Sequence, residues 1–211
     1  MMEASFLVWG AVGIQAIVLA MCLAKEWRRV GQAFFEQGWL AQPLSAYPYW
    51  GLFFLLLISL VRDPYPLTVA ITIVFIFGLY QLAYFDALTG FLPDRWTLTL
   101  LWLGLLVNSQ SWFVPPDQAI LGAVVGYVFL YGLNAVYSQL KNQPGLGGGD
   151  MKLLAALGAL CGLYALPYLL FTASVLGLLF VVGARLLQKR VPAAIPFGPF
   201  LAGAGGIWLL L

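Results

Sequence analysis

Apolar stretches separated by short breaks of proline, glycine or charge run the length of the chain, near residues 6–24, 44–61, 67–85, 97–114, 119–139, 151–163, 167–187 and 193–211. A hydrocarbon core of about 30 Å takes about 20 helical residues to cross. The pattern therefore predicts an all-α fold, a polytopic membrane helical bundle of about eight transmembrane or partly spanning helices, with residues 1–211 forming a single membrane-embedded domain. The stretches at 44–61, 151–163 and 193–211 are the leanest, the first bracketed by Pro48 and by Arg62-Asp63-Pro64. No internal repeat stands out. The glycine pairs Gly122/Gly126 and Gly158/Gly162 read as helix-packing contacts, because small residues four apart let two backbones approach.

Composition agrees: 63% of the 211 residues are hydrophobic and 9% charged, with a mean hydropathy of +0.94, against roughly 25% charged residues in soluble domains. The net charge of +2 says less than where the charges fall. With eight alternating crossings, Lys25, Arg28, Arg29, Arg95, Lys141, Lys152, Arg185, Lys189 and Arg190 share one face, and only Arg62 lies on the other. By the positive-inside rule the crowded face is cytoplasmic and both termini point outward. Asp86, Asp94 and Asp150 fall on that cytoplasmic face, Asp63 and Asp117 on the opposite one. The first apolar run lacks a basic start, carries Glu3, and is followed by Lys25-Glu-Trp-Arg-Arg29, so it reads as a retained span rather than a cleaved signal. Residues 25–48, with Trp27, Phe34, Phe35 and Trp39 among the basic residues, read as a short amphipathic cytoplasmic loop.

The chemistry is narrowed by what is missing. The chain has no histidine, which removes Ser-His and Cys-His nucleophile pairs, histidine zinc sites and histidine-ligated haem. Its two cysteines, Cys22 and Cys161, sit inside apolar runs and read as small buried hydrophobes. No metal, other cofactor or nucleic-acid partner is expected. Carboxylates remain, concentrated in Asp86-Ala-Leu-Thr-Gly-Phe-Leu-Pro-Asp94 and Gly147-Gly-Gly-Asp150-Met-Lys152. An acid beside hydrocarbon is costly, and function is its default explanation. Two aspartates held close cannot both ionise easily, so one keeps a proton and polarises a carbonyl while the other takes a proton from water. Asp86 and Asp150 are 64 positions apart, and spacing alone does not require them to meet. The run Gly145-Leu-Gly-Gly-Gly149 supplies close backbone approach before the helix from Met151, and Lys152 either tunes the local field or meets an acidic group of a substrate. Taken singly, each stretch also fits a plain reading: an N-cap aspartate on a flexible loop, and an interfacial turn bearing two acids. Pro196 and Pro199 break helix at a membrane edge, either as a helix entrance or as cleft lining with Phe197 and Gly198.

Taken together, Asp86 to Asp94 followed by Thr97-Leu98, Gly145-Leu-Gly-Gly-Gly-Asp-Met-Lys-Leu-Leu154, and Ile195-Pro-Phe-Gly-Pro-Phe200 resemble the type IV prepilin peptidase family, membrane aspartic peptidases that process prepilins and pseudopilins. The resemblance covers about residues 67–211. It implies that Asp86 and Asp150 are the catalytic pair and that Asp94, Lys152, Gly147, Gly149 and Pro93 support them. It further implies a bacterial inner-membrane location, a prepilin or pseudopilin partner and cleavage of a basic leader at the cytoplasmic face, the side reached independently from the charge count. Longer members of that family carry a cytoplasmic domain with paired CxxC motifs linked to N-methylation, whereas residues 25–48 contain no cysteine, so methyl transfer is not expected. The presenilin and signal-peptide-peptidase group shares GxGD but resembles a Tyr-Asp pair, where this chain has Phe85-Asp86. A noncatalytic transporter or assembly scaffold is the other alternative, and the oligomeric state is left open.

Overall fold

The computed structural model describes residues 66–141, 145, 147–187 and 195–211. The expected spans at 6–24 and 44–61, the amphipathic segment 25–48, Cys22 and Asp63 lie outside the described residues. Among the described residues the fold is all-helical: α1 (Pro66–Thr89), α2 (Asp94–Asn108), α3 (Pro116–Lys141), α4 (Gly148–Cys161), α5 (Leu166–Leu186) and α6 (Gly198–Leu210), with a 3-10 turn, Leu163–Ala165, before α5. The chain divides into two compact units, Met1–Gln81 and Leu82–Leu209; the second carries the end of α1, α2 to α5, and α6 through Leu209.

Among the described residues three segments are long and apolar enough to cross a membrane, Thr68–Thr89, Pro116–Lys141 and Leu163–Leu186. The other three helices, of 15, 14 and 13 residues, are at most ~22 Å long at 1.5 Å per residue and fall short of a full crossing. The expected count of about eight spans is thus not reached among the described residues, and local causes account for the shortening. The apolar run 97–114 stops being helical at Asn108, whose side-chain oxygen accepts the N–H groups of Phe113 (3.0 Å) and Val114 (3.2 Å) and folds the rest of the run into a turn. Helix α4 ends at Gly162, whose φ of +83° suits glycine and turns the chain away.

α4 is the centre of the second unit. Its run from Leu153 to Cys161 has no polar face and is buried throughout, as expected of a helix apolar all round. On one side lies α2, parallel to it: Asp94 at the start of α2 reaches Lys152, and Asn108 at the end donates to the carbonyls of Ala159 (2.8 Å) and Leu160 (2.9 Å). Asn108 is fully buried with all four of its hydrogen-bonding positions filled, which makes it a polar fastener between two helices and a turn. On the other side α3 runs antiparallel, burying a seam of Ala119, Gly122, Ala123, Gly126 and Leu130 and exposing Leu121, Val124, Val128 and Phe129, a face suited to lipid.

The glycine pairs lie in the contact between α3 and α4, as expected. A Cβ at Gly122 would fall on the carbonyl oxygen of Gly158, one at Gly158 on that of Gly122, and one at Gly126 would lie 2.9 Å from the Leu154 oxygen. Gly162, whose carbonyl carbon would lie 2.8 Å from a Cβ at Gly122, also serves the chain reversal. α5 and α6 pair antiparallel, with Tyr168 stacked on Trp208 and Phe180 against Phe200.

Gly158→Ala or Gly122→Ala is expected to force α3 and α4 apart and to cost about 1–3 kcal/mol. Gly132→Ala, in the same helix but with open space around it, is expected to be neutral or slightly stabilising. Thermal unfolding in detergent micelles, comparing the three variants, measures the difference.

Candidate active site

Helix α1 closes with Thr89 Oγ1 donating to the Phe85 carbonyl (2.8 Å) and with Gly90, at φ +65°, donating its N–H to the Asp86 carbonyl (2.7 Å). This left-handed cap ends the helix one turn after Asp86. Four residues later Pro93, at φ −65° and ψ 126°, starts α2 and places Asp94 in its first turn, where the helix dipole favours a carboxylate. The third residue of α4 is Asp150. With Gly147 as N-cap, the Gly147 N–H donates back to the Asp150 carboxyl, the acidic half of a capping box.

These ends converge on one cavity of about 260 Å³, lined by Asp86, Gly90, Phe91, Leu92, Asp94, Gly147, Gly148, Gly149, Asp150 and Lys152. The two acidic motifs, 64 residues apart, therefore meet. Asp86 and Asp150 are buried, at 4% and 7% exposure, whereas Asp94 and Lys152 stand at the rim, joined by an ion pair of 2.6 Å. Burial pushes the Asp150 carboxyl from 3.8 up to about 7; the Asp86 charge adds to the rise and the Gly147 N–H opposes it. Asp86 Oδ2 is buried with no hydrogen-bond partner. It faces the backbone of Gly198, whose N–H is directed at the carboxyl.

Of the expected cleft-lining residues, Gly198 touches Asp86, while Pro196, Phe197 and Pro199 are not among the residues lining the cavity. The reason is steric. A Cβ at Gly198 would lie 2.5 Å from Asp86 Oδ2, so the segment presents bare backbone, and Pro199 sits in the first turn of α6, where no N–H is needed. Pro93 likewise caps a helix and stays outside the lining. Leu92 is a residue that motif reasoning missed. Buried at 4% exposure, it fits between two glycines: a Cβ at Gly149 would lie 2.5 Å from its Cβ, and one at Gly198 would lie 3.1 Å from its Cδ1. Nothing in the local sequence marks it. Asn108 was also missed, although an asparagine closing an apolar run ahead of Ser109-Gln110-Ser111 was a readable signal.

Residues 73–182, just over half the chain, match the sequence profile of the type IV leader peptidase family. The chain belongs to that family. Several relatives bear the name prepilin leader peptidase/N-methyltransferase. The protein from Neisseria gonorrhoeae is 47% identical over 129 residues, which cover 61% of this chain and 44% of the relative. The one from Dichelobacter nodosus is 40% identical over 144 residues, 68% of this chain and 49% of its own. That from Dickeya chrysanthemi is 44% identical over 137 residues, 64% and 48% respectively. The chain spans about half the length of the curated relatives it matches. No solved structure matches it. The region shared with the type IV leader peptidases contains both buried aspartates, the ion pair and Leu92, while Gly198 lies beyond it.

A raised Asp150 has a consequence for stability. Between about pH 4 and pH 7 the folded chain holds a proton that the unfolded chain has released, so this group's contribution to stability falls as pH rises across that window. Asp150→Asn, which cannot ionise, is expected to exceed the native chain in stability by a wider margin at pH 8 than at pH 5. Thermal midpoints at the two pH values, in one detergent, test this; an equal difference at both would contradict it.

Proposed function

We propose that the chain is an aspartic endopeptidase of the inner membrane that removes the basic leader of prepilins or pseudopilins, with Asp86 and Asp150 as its catalytic pair. The observation that carries this reading is the meeting of the two buried carboxyl groups, from the end of α1 and the start of α4, in one cavity, in a chain of the type IV leader peptidase family. The names of the relatives supply the substrate class.

The chemistry follows from one proton shared between two acids. The ionised carboxylate takes a proton from water as the water oxygen bonds to the peptide carbonyl carbon, and the protonated carboxyl gives its proton to the carbonyl oxygen. The result is a neutral diol on a tetrahedral carbon, with the pair still holding one proton. That proton passes to the amide nitrogen, the C–N bond breaks, and a diol proton returns to the pair, leaving a carboxylic acid and a free amine. No covalent enzyme intermediate forms. The raised Asp150 suits the protonated role near neutral pH, since burial and the neighbouring charge both favour its neutral form. Gly147 and Gly148 let a peptide backbone come close to Asp150 without side-chain bulk in the way, while the bare face of Gly149 is taken by Leu92.

The cut faces the cytoplasm in this reading. Supporting it, Arg95 and Lys152 begin helices at the acidic end, and Lys141 and Arg185 close antiparallel helices at that same end, as the positive-inside rule requires. Asp117, at the start of α3, sits at the other end. Methyl transfer is not part of the proposed activity, because residues 25–48 hold no cysteine.

Asp86→Asn and Asp150→Asn are each expected to lower leader removal by at least ~1,000-fold, since the pair acts as a unit, while both variants remain folded. The assay mixes purified protein with a full-length prepilin in detergent and sequences the N-terminus of the product, with a methyl donor present to score methylation, expected to be nil. Undiminished cleavage by either variant would falsify the catalytic assignment. Cleavage is further expected to fall on the alkaline side as the pH rises through about 7, where Asp150 gives up its proton.

A further inference from the structure

The charged groups lining the cavity are Asp86 from α1, Asp94 from α2, and Asp150 and Lys152 from α4. Lys152 is the cation among them, two positions beyond Asp150 on the same helix. A free ammonium there would favour an ionised Asp150 and draw off the proton that a pair of acids must share. The ammonium is engaged, with Nζ 2.6 Å from Asp94 Oδ1. We propose that Asp94 is a positioning residue that binds the Lys152 ammonium at the cavity rim and so keeps it from the Asp86–Asp150 pair.

Three observations carry this. Asp94 is anchored in place: it opens α2 after Pro93, and Thr97 Oγ1 donates to the Asp94 carbonyl at 3.2 Å. Exposure rises outward, from Asp86 and Asp150 at 4% and 7% to the side chains of Lys152 at 28% and Asp94 at 59%, so the pairing draws the cation toward water. Among the described residues the ion pair of Lys152 is with Asp94 and not with either buried acid. An ion pair this exposed adds little to the stability of a fold. What the lysine would do if released accounts for its partner better than stability does.

The inference rests on the peptidase reading, and the experiment separates the two. Full-length protein in detergent is assayed on a prepilin across pH as the native chain, Asp94→Asn, Lys152→Met, and the double variant. Asp94→Asn is expected to move the alkaline limb of kcat/KM to lower pH by about one pH unit. Lys152→Met alone leaves the limb in place, and adding it to Asp94→Asn returns the limb to the native position. An unmoved limb in Asp94→Asn overturns the proposal, whether kcat drops equally in both single variants, as for a purely structural clasp, or KM alone rises, as for a contact with the leader. So does a shift that persists in the double variant. If a variant is too slow to assay, the pH at which its thermal midpoint stops falling is read for the same shift. A native chain that does not cleave prepilin, or cleavage that survives Asp86→Asn, rejects the peptidase reading and this inference with it.

Discussion

Helices α2 and α4 are too short to reach from one face of a bilayer to the other, so backbone groups at their ends must find partners within the protein. Much of the second unit follows from that requirement. Where α2 stops, Asn108 takes two N–H groups of the following turn and gives its own amide hydrogens to the last carbonyls of α4. At the opposite end, where α4 and α6 begin, the N–H groups of Gly147 and Gly198 are directed at Asp150 and Asp86. The two acids thus serve helix starts and share a cavity through the same arrangement. A longer α4 or α6 would leave its first N–H groups in water and give the carboxyl groups no such place.

Part of this was legible in the residues. The stretches at 67–85, 119–139 and 167–187 lie within a few residues of α1, α3 and α5, because a long apolar run between breaks is a local signal that little in the tertiary structure overrides. The run at 97–114 overshot by six residues, since what ends α2 is a side chain reaching forward into apolar sequence. The acidic motifs announced themselves through the rarity of charge. Their meeting did not, because it depends on contacts between segments far apart in the chain, Leu92 between Gly149 and Gly198 and Asn108 against the end of α4. Lys152 was read as tuning the field or meeting a substrate acid; its partner is Asp94, a residue 58 positions earlier that only the fold brings near.

Family membership and geometry bear on different questions. The profile match and the named relatives say what kind of protein this is. Burial and charge say why two of its aspartates are unlike Asp94 and Asp117: one pair of carboxyl groups is taken out of water and set within each other's field, and the other two stand at helix starts where water reaches them.

Leu92 is wedged between Gly149 and Gly198, so one isobutyl group touches both the segment that delivers Asp150 and the segment that backs Asp86. The three positions therefore behave as a single joint. A methyl group added at either glycine has to be accommodated by the same leucine, and trimming that leucine relieves both intrusions at once. Changes at 149 and 198 should consequently combine in a way that departs from simple addition, although the residues are 49 positions apart in the chain. Displacing the leucine would loosen both walls of the acid chamber in one movement.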